Sequence, residues 1–187
     1  AALLDLGADE QILRKALASL PVGGFEIAVT RKVKSGLDVC DFDVILDAEH
    51  ENHDHDMEYL HGHDHHHDHG HHHEHCHEHV HEDGSVHTHG HHHEHRGLHE
   101  ILHIIEHADM TERAKETAVR IFQILAEAES KAHGVPADQV HFHEVGAVDS
   151  IVDILAVAVC LDNLDITEVI VPFLCEGQGS IRCQHGI

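Results

Sequence analysis

Between positions 50 and 95 the chain carries 22 of its 29 histidines and 11 carboxylates, with no lysine or arginine. The apolar residues in that stretch are Met57, Tyr59, Leu60, Cys76, Val80 and Val86. So few cannot bury enough surface to offset the entropy of ordering 46 residues, and the stretch is expected to be disordered without metal. Setting it aside leaves residues 1–49 and 96–187, which together are an ordinary size for one domain. The organisation expected is therefore an α/β domain, incomplete at both ends, interrupted by a histidine-rich insertion at 50–95.

The rest of the chain is patterned for folding. Asp9 begins a helix that places Ile12, Leu13, Ala16, Leu17 and Leu20 on one face before Pro21 stops it. Phe25 to Val29 alternates as a strand, Val39 to Leu46 reads as a second, and Ser35-Gly36 supplies the turn of a hairpin. After the insertion, Leu98, Ile101, Leu102, Ile105 and Ala108 form an apolar helical stripe. Thr111 caps a further helix that turns Ala114, Ala118, Ile121, Phe122, Leu125 and Ala132 inward and ends at Gly134 and Pro136. Val148 to Leu161 is apolar nearly all round and reads as a buried helix. Ile166 to Val171 reads as a buried strand, and Ser180 to Cys183 as another. The fold class expected is α+β, a two-layer mixed α/β domain with a disordered histidine-rich insertion.

Charge narrows the range of partners. Lysine and arginine total 11 against 35 acidic residues, a formal charge of -24. Nucleic acid and anionic membranes are excluded as expected partners, because phosphate contacts need clustered basic groups. At ordinary pKa values of ~6.5, roughly a quarter of the histidines are cationic at pH 7, and the surface stays acidic, which suits divalent cations. No apolar run approaches the ~18 residues of a membrane helix. Cys40, Cys76, Cys160, Cys175 and Cys183 contain no C-x-x-C pair, which speaks against a disulfide framework and for a reduced, cytoplasmic setting. The chain opens without methionine or a basic-then-apolar leader and closes directly after a strand-like run, so a fragment of a longer protein is expected.

Four places carry candidate chemistry. In the insertion, His65, His66, His67, His69, His71, His72, His73, His75, His77, His91, His92, His93 and His95 are candidate metal ligands. Imidazole nitrogen suits Zn, Cu, Ni and Fe, and a run of imidazoles can wrap several ions with little selectivity. The bland alternative is a purification tag or low-complexity linker, but this tract is internal, mixed with Asp and Glu, and lies between structured elements. His99, His103 and His107 recur at i, i+4 and i+8, with Glu100 and Glu106 beside them; they read equally as a chelating stripe or as a solvated face.

The third place runs from His141 to Asp153. His141 and His143 alternate onto one side, Gly146 permits a tight turn, and Asp149 and Asp153 fall one helical turn apart, so that with Glu144 two imidazoles and three carboxylates can converge. The plain alternatives are a helix-start charge at Asp149 and a surface histidine at His141. In the fourth place, Cys183 and His185 alternate onto one face and are metal candidates, while Gly177 and Gly179 let backbone approach a phosphate. These glycines match neither the Walker nor the Rossmann fingerprint. No nucleophile elbow or Ser-His-Asp order stands out.

Three blocks then carry a resemblance: Ala2-Leu3-Leu4-Asp5-Leu6-Gly7, His141-Phe142-His143-Glu144-Val145-Gly146-Ala147-Val148-Asp149-Ser150-Ile151-Val152-Asp153, and Gly177-x-Gly179-x-x-x-Cys183-x-His185-Gly186, with Arg96-x-Leu98 between the first two. In order and spacing the chain resembles the LarC nickel-insertion family, the nickel-pincer cofactor nickel chelatases, over essentially its whole length. The resemblance implies nickel insertion into pyridinium-3,5-bisthiocarboxylic acid mononucleotide, giving the cofactor of lactate racemase, in a lyase-type reaction that uses CTP and Mn or Mg. It also implies the organic mononucleotide and the lactate racemase maturation proteins as partners, and a nucleotide site in C-terminal domains beyond this sequence.

On this reading His143, Glu144, Asp149 and Asp153 are the candidate catalytic residues, Gly177 and Gly179 the cofactor-binding ones, and the tract histidines with His99, His103, His141, Cys183 and His185 the metal ligands. The fragment itself is expected to be inactive. The competing expectations are a non-catalytic nickel or zinc storage or delivery protein, and a pH-responsive histidine linker.

Overall fold

A computed structural model describes residues 1–47, 96–142, 145–175 and 177–179, together with the backbone of strands 76–80 and 86–90. These fall into two units, one holding the residues before and after the tract and the other the hairpin within it.

In the first unit a short helix α1 (Ala2–Asp5) precedes α2 (Glu10–Ala18). The Asp9 carboxylate caps α2 by accepting the N–H groups of Gln11 at 2.8 Å and Ile12 at 3.3 Å, satisfying donors that have no partner inside the helix. The Asp9 N–H in turn donates to the Asn163 side-chain oxygen at 2.7 Å. Strands β1 (Phe25–Lys34) and β2 (Leu37–Leu46) pair antiparallel from Phe25↔Leu46 to Lys34↔Leu37. Their two-residue turn is Ser35 (φ 54) and Gly36 (φ 82), the left-handed pair that matches the twist of a tight hairpin. The register aligns Phe25 with Leu46 and Ile27 with Val44, and these four side chains pack against the core.

Outside this packing face, Arg31 ties the hairpin to α1. Its guanidinium donates to the Asp38 carboxylate at 3.0 and 3.2 Å and pairs with Asp5, whose other oxygen accepts the Cys40 N–H at 2.9 Å. The Cys40 N–H and then Arg31 hold the Asp5 carboxyl below its usual range.

Beyond the tract come α3 (Leu98–His107), α4 (Glu112–His133), a 3-10 turn (Ala137–Gln139) and α5 (Val148–Asn163). Thr111 caps α4 by accepting the Ala114 N–H at 3.2 Å, and its hydroxyl donates to Asp162 at 2.6 Å near the end of α5. Gly134 ends α4 at φ 69, a left-handed conformation that costs glycine nothing sterically. Leu13 and Leu17 of α2, Ile101 and Ile105 of α3, Phe122 of α4, and Ile151, Val152 and Leu155 of α5 are fully buried around Phe142. The Phe122 and Phe142 rings meet edge to face at 6.1 Å. Helices packed against a two-stranded antiparallel hairpin give the expected α+β class.

Four sequence expectations need correction. Residues 166–171 form no strand; Val169, Ile170 and Val171 are exposed, because no strand among the described residues offers them hydrogen-bond partners. Ile12 is 47% exposed, on the shoulder of the α2 stripe, and Ala132 is exposed where α4 outruns the core. Ile104 is buried although it lies outside the stripe named for α3. Ser180 to Cys183 lies outside the described residues.

In the second unit, β3 (Cys76–Val80) and β4 (Val86–Gly90) pair antiparallel, with His77 opposite His89 and His79 opposite His87. His65, His66, His67, His69, His71, His72, His73, His75, His91, His92, His93 and His95 lie outside the described residues.

Candidate functional site

The segment leading into α5 is built on the residues that reopen the domain after the tract. Gly97 and His141 form an isolated antiparallel bridge, and the Phe142 N–H donates to the Arg96 carbonyl at 3.2 Å. The Arg96 guanidinium donates to the Gly146 carbonyl at 3.3 Å. Phe142, with no exposed surface, anchors the segment in the core, while the preceding His141 stays exposed. His143 and Glu144, the central pair of the sequence block, lie outside the described residues.

Gly146 lies in the turn expected before α5, and glycine is required there by close approach of two backbones. Its φ is not positive; instead a Cβ there would stand 2.7 Å from the Phe142 carbonyl oxygen and 3.1 Å from that of Arg96. Only a residue without a side chain fits so close to two backbones.

Asp149 lies in the first turn of α5, half-buried, and its carboxylate accepts the Ser150 N–H at 2.8 Å. A negative charge there also complements the helix dipole. Asp153, one turn later, is exposed at its outer edge, yet the chain around it removes enough water to push its carboxyl above the usual range. Repulsion from Asp149, and more weakly from Asp43 of β2, adds to the shift. Neither carboxylate is therefore a buried charge, although α5 is apolar over most of its surface. Asp43 is the member of this acidic group that sequence reading missed: it sits more than a hundred residues earlier, in a strand, and no local spacing connects it to α5.

His141, Asp149 and Asp153 are not brought together as a ligand group. Among the described residues, the group of three donors close enough to share an ion is His103, Glu106 and His107 on α3. His99, also exposed, stands outside it, and Glu100 is occupied in accepting the Gly97 N–H at 2.8 Å. Of the cysteines, Cys40 and Cys160 are buried free thiols and Cys175 is exposed. Burial pushes the Cys160 thiol up, so it stays protonated and makes a poor metal ligand.

Gly177 and Gly179 are exposed, and a Cβ at either would meet nothing within 4 Å. Among the described residues, no group of three donors other than the one on α3 comes close enough to share an ion. Cys183 and His185 lie outside the described residues. No helix among the described residues is long and apolar enough to cross a membrane.

Comparison with known proteins places this arrangement. The family model described as nickel insertion protein matches residues 1–187. The chain is 46% identical over its whole length to the pyridinium-3,5-bisthiocarboxylic acid mononucleotide nickel insertion protein of Alkaliphilus metalliredigens, covering 38% of that relative. It is 43% identical to the protein of the same description from Clostridium acetobutylicum, again over all of this chain and 42% of the relative. A putative nickel insertion protein of Myxococcus xanthus is 37% identical over the whole chain and 37% of its own length. The chain thus spans about two fifths of the curated relatives it matches. No solved structure matches it at a significant level. The match along every residue, through the His141–Asp153 block and the tract alike, means that the chain belongs to the nickel insertion protein family.

Proposed function

We propose that this chain is the ion-gathering portion of a protein that inserts nickel into pyridinium-3,5-bisthiocarboxylic acid mononucleotide. The observation that carries the reading is the family match over residues 1–187, with 46% identity to a relative named for that reaction. Nickel is the cargo. The tract at 50–95 collects it as an insertion in the domain of 1–49 and 96–187, and the His141–Asp153 block contributes to the insertion site.

Tethered weak ligands raise the ion concentration beside a selective site without any new contact. Within the block, Phe142 and Gly146 hold the backbone against Arg96. Asp149 and Asp153 add negative charge that attracts a divalent cation; the Asp153 carboxyl is raised first by loss of water and then by repulsion from Asp149, and a bound cation would relieve the second. Lyase-type chemistry, lactate racemase as destination and a cytoplasmic setting belong to the same proposal, the last supported by the free thiols at Cys40, Cys160 and Cys175. CTP and Mn or Mg are assigned to the rest of the longer protein.

The test is turnover by the full-length protein given the mononucleotide, nickel, CTP and Mn. Metallated product is expected. His143→Ala and Asp149→Asn should abolish it with the nickel capacity of the tract intact, whereas full activity in both variants would remove the block from the site. Deleting residues 50–95 should raise the nickel needed for half-maximal rate and leave the fold unchanged. Saturable nickel binding without any turnover would favour storage or delivery instead.

A further inference from the structure

We propose that His103, Glu106 and His107 on α3 form a surface site for a divalent transition ion, separate from the tract and from the His141–Asp153 block. The three donors occupy i, i+3 and i+4, which a helix of 3.6 residues per turn places on one side. One donor atom from each lies within 4.8 Å of the others, and all three residues are exposed. Small side-chain rotations close that span around an ion whose bonds are roughly 2.0–2.2 Å.

Two details distinguish this trio from an ordinary solvated face. The His107 Nδ1 lies 2.9 Å from the His103 backbone carbonyl oxygen. A carbonyl can only accept, so Nδ1 carries the hydrogen and the neutral ring presents Nε2 with its lone pair free. Metal-bound histidines are held in the same way, one nitrogen fixed by a backbone acceptor and the other on the ion. Furthermore, no hydrogen bond or ion pair among the described residues engages the Glu106 carboxylate. The neighbouring Lys115 ammonium binds the Glu106 backbone carbonyl at 2.8 Å instead. Glu100, by contrast, is committed to the start of the helix. The imidazole rings of His103 and His107 sit 4.1 Å apart, centre to centre, and are tilted by 55°.

Two imidazoles and one carboxylate suit borderline ions such as nickel, zinc and copper(II). Three protein donors on an open surface leave coordination positions for water or an incoming ligand. Such a site takes up and releases an ion rather than keeping it. The inference needs only the metal-binding chemistry of α3 and does not rest on the insertion reaction.

The test uses the 187-residue chain with nickel as the probe, at buffered free nickel concentrations. Acylation of individual histidines by diethylpyrocarbonate is followed by peptide mass spectrometry, so the tract does not mask the result. Nickel should protect His103 and His107 together along one saturation curve and leave His133 unchanged. Glu106→Gln should raise the midpoint at least about tenfold, with metal-free helicity unaltered. The site is overturned if His103 and His107 stay equally reactive at saturating nickel, if they are protected at different midpoints, or if Glu106→Gln leaves the midpoint in place.

Discussion

The Arg96 guanidinium donates to the Gly146 carbonyl oxygen at 3.3 Å, and a Cβ at Gly146 would stand 3.1 Å from the Arg96 carbonyl. The two residues are therefore pressed together from both directions, 50 positions apart in sequence. Through this contact the residue that resumes the domain after the tract sets the approach to α5.

Gly146→Ala should consequently lower stability by about 1–3 kcal/mol, the usual range for forcing an extra carbon into a packed site. Urea unfolding checks this, with Gly134→Ala as the comparison. Gly134 has open space around it and only a left-handed φ to defend, so its cost should be nearer 1 kcal/mol. Equal losses at the two positions would contradict the close-packing account of Gly146.

Asp153 gives a pH dependence with a definite sign. Its folded pKa is raised above the ordinary 3.8, so between that value and the folded pKa the native state holds more protons than the unfolded chain. Stability contributed by this group accordingly falls as pH rises through that window and is level above it. Asp153→Asn should stabilise the protein at neutral pH by about 0.2–1 kcal/mol, a small gain because the group is partly solvated. The gain should vanish below the unfolded pKa. Thermal unfolding of both proteins at pH 3 and pH 7 tests this, and equal differences at the two pH values would refute it.

Nickel capacity should fall steeply with acid, since an imidazole binds only when it has lost its proton. With ordinary pKa values of ~6.5, about three quarters of the tract's imidazoles are unprotonated at pH 7 and about a tenth at pH 5.5. Equilibrium dialysis over that range should show most bound nickel released. Full retention at pH 5.5 would mean that the carboxylates, not the imidazoles, carry the binding.

Local chemistry was easiest to read from the sequence. Asp9, Thr111 and Gly134 mark helix ends by side-chain or backbone rules that act over a few residues, and the structure places all three at those ends. Ser35-Gly36 sets the hairpin for the same reason. Reading failed where the answer depended on distant partners. Ile166 to Val171 has the composition of a strand, but a strand exists only with hydrogen-bonded neighbours, and none of the described strands lies beside it. Ile12 is exposed where burial was expected, and Ile104, which no stripe named, is buried, because the width of a helix's covered face is decided by what packs on it. At the candidate sites, the spacing of His99, His103 and His107 suggested one stripe. The side chains instead select His103 and His107 with Glu106, a choice set by rotamers and by the commitment of Glu100. Asp43 joins Asp153 only through the fold.

The bond from the Asp9 N–H to Asn163 spans 154 positions, so elements from before and after the tract close one core between them. The stretch at 50–95 therefore interrupts, in sequence, a core whose two sides are joined without it. The entropy of closing a loop grows only with the logarithm of its length, and doubling it costs about 0.6 kcal/mol. The number of histidines is therefore nearly independent of folding: metal capacity can be enlarged or trimmed over generations without redesigning a single core residue.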